Sequence, residues 1–146
     1  MYYVNREQIE LRLSAIPEII EGLKTAIRDW DGSLTLGLVQ ERCLHLAIES
    51  VTDVGSFIID GFIMRDASSY EDIIGIIHEE QVIDHEIFPS LHELVSLRKP
   101  LVQEYYQWKR AELHPLTPLL VDNLDKFAVS VRQYLERELG PMPTDR

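Results

Sequence analysis

Apolar residues recur at helical steps along almost the whole chain. Behind Asn5 and Gln8, which form a capping-box pair, Ile9, Leu13, Ile16, Ile20, Leu23 and Ile27 follow one another at three- and four-residue intervals. This predicts a first helix with a single apolar stripe. Pro17 lies inside the stripe, so the helix is either kinked or made of two pieces. Asp31-Gly32-Ser33 supplies a turn and an N-cap for a long second helix over roughly Leu34 to Phe62. Its apolar face, which includes Leu38, Leu44, Ile48, Val51 and Ile58, is wide enough to meet more than one neighbour. Ala67-Ser68-Ser69 breaks the pattern, and Ser69 with Asp72 opens a short third helix through Ile73, Ile74, Ile76 and Ile77. After a loop near Val82 to Asp84, a fourth segment runs through Leu91, Leu94, Val95, Leu101, Val102 and Tyr105, interrupted by Pro89 and Pro100. Proline lacks a backbone donor, so Pro100 predicts a bend or a fresh helix start just after Arg98. Pro115 and Pro118 precede or open a last helix carrying Leu120, Leu124, Phe127, Val131 and Tyr134 or Leu135, and Gly140-Pro141 ends it. No strand-like alternation interrupts this sequence of helices. The pattern predicts an all-α bundle of four to five helices, with one domain over residues 1–140 and a C-terminal tail over 141–146.

Composition narrows the classes of function. With 45% hydrophobic and 27% charged residues in 146 positions, the chain can build one core without a disulfide or a structural metal. The single cysteine, Cys43, sits in an apolar run with Leu44, Leu46 and Ala47 and reads as a small core residue in a reducing compartment. No charged start followed by an apolar stretch marks a signal peptide. The most continuous apolar block, Ile73 to Ile77, is far below the ~18 residues of a spanning helix, so the expectation is a cytoplasmic protein with no membrane contact. A formal net charge of −11, from 14 Lys plus Arg against 25 Asp plus Glu, argues against DNA and against any broad nucleic-acid surface. Contact with RNA must be local. Positive charge gathers only at Arg98, Lys99, Lys109 and Arg110, which composition alone reads as an exposed helix end.

Several familiar sites are excluded by inspection, because the chain lacks a phosphate-binding Gly-x4-Gly-Lys-Ser/Thr, a His-Glu-x-x-His and any cysteine pair. Three His-Glu pairs, His78-Glu79, His85-Glu86 and His92-Glu93, recur every seven residues. On one unbroken helix, neighbouring imidazoles in such a row stand about 10 Å apart, too far to share an ion. A metal-binding bundle is therefore the least favoured reading, and no cofactor is expected. Glu41, His45 and Glu49 read as solvated pairing along a helix, and Trp30 and Trp108 as core or boundary aromatics.

The informative stretch is Leu97-Arg98-Lys99-Pro100-Leu101-Val102-Gln103-Glu104-Tyr105. It resembles the Arg-x4-His-x-Tyr signature of HepT-like toxins in the HEPN superfamily, with Arg98 and Tyr105 in register and Gln103 at the histidine position. The opening Met1-Tyr2-Tyr3-Val4-Asn5-Arg6, the block from Gln40-Glu41-Arg42 to Ala47-Ile48-Glu49 and the helix after Trp108 extend the likeness through most of the chain. The resemblance implies a HEPN-like fold and a two-fold homodimer whose motifs face each other across a cleft. It also implies a metal-independent ribonuclease toxin, with a minimal nucleotidyltransferase as antitoxin partner. In that family the arginine stabilises charge on the scissile phosphate, the histidine handles protons, and the motif tyrosine accepts AMP from the partner. Carried over by register, the catalytic positions are Arg98, Gln103 and Tyr105, the AMP acceptor is Tyr105, and Lys99, Lys109 and Arg110 would join Arg98 in binding RNA. Two positions depart from the pattern. Lys99 replaces a small polar residue, and the Gln103 amide has no titratable proton, so the resemblance implies weak or absent cleavage. The alternative is a non-catalytic HEPN dimer that binds nucleotide, RNA or protein.

Overall fold

The computed structural model describes residues 2–142, and all the regular secondary structure in that range is helical. Six α-helices follow in order: α1 (Arg6–Leu13), α2 (Ile16–Asp29), α3 (Leu34–Gly61), α4 (Tyr70–Glu79), α5 (Phe88–Ser96) and α6 (Leu116–Leu139). A π turn (Lys99–Gln103) and a 3-10 turn (Tyr105–Gln107) lie between α5 and α6. α1 and α2 are the two pieces of one rod, so the bundle has five rods, as the apolar pattern predicts. The residues 143–146 of the expected tail, and Met1 of the opening motif, lie outside the described residues.

Local chemistry sets the helix starts. The Asn5 side chain accepts from Gln8 N at 3.1 Å, Ser33 Oγ from Leu36 N at 3.3 Å, and Ser69 Oγ from Asp72 N at 3.0 Å. Pro17 falls in the first turn of α2 and Pro89 in the first turn of α5, positions where a missing N–H costs nothing. The break at Ser14 and Ala15 rotates the apolar face. Ile19 and Ala26 are buried in α2, whereas Ile20 and Ile27, which an unbroken stripe would bury, are only half-buried. α3 and α4 each end in a Schellman motif. Met64 N donates to Ile59 O and Val82 N to Ile77 O, with Ile63 (φ 56°) and Gln81 (φ 61°) in the left-handed region.

α3 is the hub, since α1, α2, α4, α5 and α6 all pack against it. Leu44, Ile48, Val51 and Ile58 on α3 are fully buried, together with Leu23, Ile77, Leu94 and Phe127 from the surrounding helices. At Gly55 the helices come close, because a Cβ there would stand 2.5 Å from Ile73 Cγ2 on α4. Leu38, expected on the apolar face, is instead exposed, and its neighbour Gly37 is buried. Cys43 is buried, and burial pushes its thiol above the ordinary value. No described helix is long and apolar enough to cross a membrane.

The strap between α3 and α4 is drawn in by one carboxylate. Asp72 accepts from Arg65 Nη1 at 2.8 Å and Nη2 at 2.9 Å, and from Ser68 N at 2.9 Å. The Arg65 hydrogen bonds first, and then the Ser68 amide, hold the Asp72 carboxyl well below the usual carboxylate range. A depressed folded pKa contributes stability that is present above the unfolded value of about 3.9 and is lost as pH falls towards the folded value. Thermal melts of wild type and Asp72→Asn should therefore differ most at about pH 6 and converge as pH drops below about 4. A gap that stays constant over that range would contradict this role for Asp72.

Candidate functional site

The motif segment leaves α5 through a change of helix type. Pro100 cannot donate a fourth-neighbour hydrogen bond, and Glu104 N instead reaches Lys99 O, five residues back, at 2.9 Å. This matters for the five-residue spacing from Arg98 to Gln103. At about 100° per residue, an α-helix sets such positions about 140° apart. A π turn of about 4.4 residues narrows the angle to about 50°, bringing both positions towards one side.

Arg98 has an unexpected neighbour. Its guanidinium lies over the ring of Tyr70, the first residue of α4, with Cζ 4.1 Å from the centroid. Its Nε is buried and has no hydrogen-bond partner among the described residues. Tyr70 thus supports the flat face of the guanidinium. Gln103 is exposed, as is Lys99, and Tyr105 is 57% exposed, which leaves its phenol open to reagents.

The other two cations of the basic cluster lie on the loop between the 3-10 turn and α6. Arg110 turns back onto α3, with Nη2 3.0 Å from Glu41 Oε2 and 3.3 Å from the Tyr105 carbonyl. Glu41 is therefore an anchor and not one of a solvated row. His45 and Glu49 do pair, at 3.6 Å. Lys109 is exposed and stands 3.9 Å from Glu112.

The loop is clamped to α3 by residues that have no obvious chemistry in the sequence. Gln40 is fully buried, and its Nε2 donates to Glu112 O at 3.1 Å. Its Oε1 accepts from His114 N at 2.9 Å and from Thr117 Oγ1 at 2.7 Å. One turn earlier, Gly37 lets the loop backbone touch the helix, since a Cβ there would lie 2.1 Å from Arg110 O. So held, the loop closes a cavity of about 440 Å³ against Pro100 and Glu104 of the motif segment. Trp108 and His114 line it with nearly parallel rings, 10° apart in plane and 5.9 Å between centroids. The Trp108 Nε1–H is buried without an acceptor among the described residues.

The His-Glu repeat behaves differently from a row on one helix. Gln81 turns the chain after α4, so His78 and His85 meet with Nε2 and Nδ1 3.2 Å apart, and His78 stacks on Phe88 at 4.1 Å. His92 touches the same Phe88 at 5.4 Å. Among the described residues no group of three His, Cys, Asp or Glu side chains has the arrangement to hold a metal ion. His114 is engaged by Trp108, and its Nδ1 accepts from Leu116 N at 3.0 Å.

Comparison with known proteins identifies the family and the fold. The family described as ribonuclease HepT-like matches residues 10–128. The Bacillus subtilis (strain 168) protein named "Putative RNase YutE" is 38% identical over 142 residues, covering 97% of each chain. The solved structure of YutE from Bacillus subtilis, described as a cytosolic protein of unknown function, superposes with a TM-score of 0.84. It is 36% identical, over 98% of this chain and 99% of its own. A tri-AMPylated HEPN toxin of Shewanella oneidensis, solved in complex with MNT antitoxin, shares the fold with a TM-score of 0.72. Its identity is 17%, over 86% of this chain and 96% of its own.

The clamp itself can be tested. Gln40→Met would leave the His114 amide, the Thr117 hydroxyl and the Glu112 carbonyl without their partner, at a cost of about 2–4 kcal/mol. Chemical denaturation should show that loss, and hydrogen exchange should rise first at residues 112–117. Unchanged protection there would mean that the loop is held by something else.

Proposed function

The chain belongs to the ribonuclease HepT-like family, and from that membership we propose that it is a cytosolic HEPN homodimer of the toxin–antitoxin type, binding RNA at Arg98 and cleaving it weakly or not at all. The observation that carries the reading is the π turn. Ideal π geometry brings position 103 towards the side of position 98, where Arg98 is propped on Tyr70, and Gln103 and Tyr105 are both exposed. A guanidinium whose face is packed keeps its edge donors for two phosphate oxygens. Lys99 adds charge at the same exposed turn, while Lys109 sits further along the loop. Arg110, tied to Glu41, serves the loop more than the RNA.

Cleavage without a metal would run by attack of the ribose 2′-oxygen on phosphorus. The P–O5′ bond breaks and leaves a 2′,3′-cyclic phosphate and a 5′-hydroxyl. The 2′-hydroxyl proton must be taken up and one proton delivered to the departing oxygen. Arg98 can stabilise the developing negative charge, but the Gln103 amide can perform neither proton transfer, a contribution of about 10²–10⁴-fold. Gln103→His should therefore raise metal-free cleavage of a structured RNA by at least about tenfold, with cyclic phosphate in the products. Arg98→Ala in that background should abolish it. Failure of Gln103→His to gain activity favours the non-catalytic dimer. Strong wild-type cleavage that survives Arg98→Ala would move the site elsewhere.

The Shewanella toxin is AMPylated and bound to MNT antitoxin. By register, we extend that chemistry to Tyr105 and to a small nucleotidyltransferase partner. Supplied with such a partner and ATP, the protein should gain AMP in intact-mass spectra, and Tyr105→Phe should lose it. Incorporation unchanged by that substitution would point to Tyr106, which is 70% exposed. Light scattering at micromolar concentration should return the dimer mass, because one motif supplies only half of a facing pair.

A further inference from the structure

Beside the motif lies a cavity to which the reading above gives no task. We infer that the cavity between the π turn and the 108–115 loop is a nucleobase pocket selective for guanine, an inference that rests on the RNA-binding reading for its context. Its volume of about 440 Å³ suits a single nucleoside. The offset, nearly parallel rings of Trp108 and His114 form a flat wall on which a base can stack, an interaction of about 1–3 kcal/mol that favours no particular base. Pro100 and Glu104, both within the motif segment, line the cavity, which places it beside that segment.

Selectivity comes from the polar groups of the wall. Glu104 and Glu112 line the cavity and can only accept hydrogen bonds when ionised, while Lys109 beside Glu112 can only donate. Guanine alone presents two adjacent donors, N1–H and N2–H, to the paired oxygens of one carboxylate, and its O6 next to them accepts from a lysine. Adenine and cytosine each place a ring acceptor beside their amino group, and uracil flanks its one donor with two carbonyls. These three would set an acceptor against a carboxylate, so guanine is the base that matches both carboxylate and lysine. Two carboxylates against one lysine also leave the cavity negative, so the base of a nucleotide enters it while the phosphate stays outside in solvent.

The test uses the full chain carrying Trp30→Phe, so that emission reports on Trp108, titrated with the 5′-monophosphates of guanosine, adenosine, cytidine and uridine. Guanosine monophosphate should quench with a Kd at least about tenfold below the other three. In the double variant Glu104→Gln, Glu112→Gln that preference should fall below about threefold. If Trp30→Phe disturbs the fold, the two indole N–H resonances of the unaltered protein report the same titration by NMR. Absence of quenching, equal quenching by all four nucleotides, or a preference that survives the double variant would overturn the proposal. RNA binding that depends on Arg98 but ignores guanine would sink the pocket and leave the functional reading standing. Guanosine selectivity without any RNA binding would support the pocket and sink that reading.

Discussion

The buried amide of Gln40 is the contact on which the candidate site depends. It sits inside the central helix, where an amide without partners would be costly, and all three of its hydrogen bonds go to residues 72 to 77 positions away. No local element competes for it, so burying Gln40 and docking the 108–115 loop are one event. Gly37 and Glu41, on either side along the helix, complete the contact. One lets the loop backbone lie against the helix, and the other binds Arg110. α3 thus both organises the core and sets the position of Trp108 and His114 relative to the motif.

The second constraint is Pro100. It opens the π turn, whereas an uninterrupted α-helix would set positions 98 and 103 about 140° apart. The π turn solves that spacing problem, and the strap from Arg65 to Ser69 brings Tyr70 under Arg98. Two distant devices, a proline and an aspartate-closed strap, therefore converge on the one guanidinium.

What was legible in the sequence was local. The caps at Asn5, Ser33 and Ser69, the interruption near Pro17 and the change after Arg98 all follow from the chemistry of a few neighbouring residues, and the structure places them where that chemistry puts them. Family and fold were also legible, because the motif-like segment and the order of the helices together resemble that family over most of the chain, and the family match and the superposition agree with both. The rest depended on partners that no short window contains. A break of two residues shifted the face of α2 from Ile20 and Ile27 to Ile19 and Ala26, and Leu38 gave way to Gly37 because a loop covers that side. Tyr70, Gln40 and Glu41 act through contacts with residues 28 or more positions away, so their neighbours in sequence did not reveal these roles. The single usable hint was a glutamine and a glycine, three residues apart, on an otherwise apolar helix face.

Gln103 stands on the outer side of the π turn, exposed to solvent. The fold therefore neither demands glutamine there nor resists an imidazole of similar reach. In the genetic code the two residues share their first two bases and differ only at the third. A form of this domain with glutamine at 103 and one with histidine thus lie a single point mutation apart, with no valley of unstable intermediates between them. A lineage could cross between them in either direction without rebuilding its core.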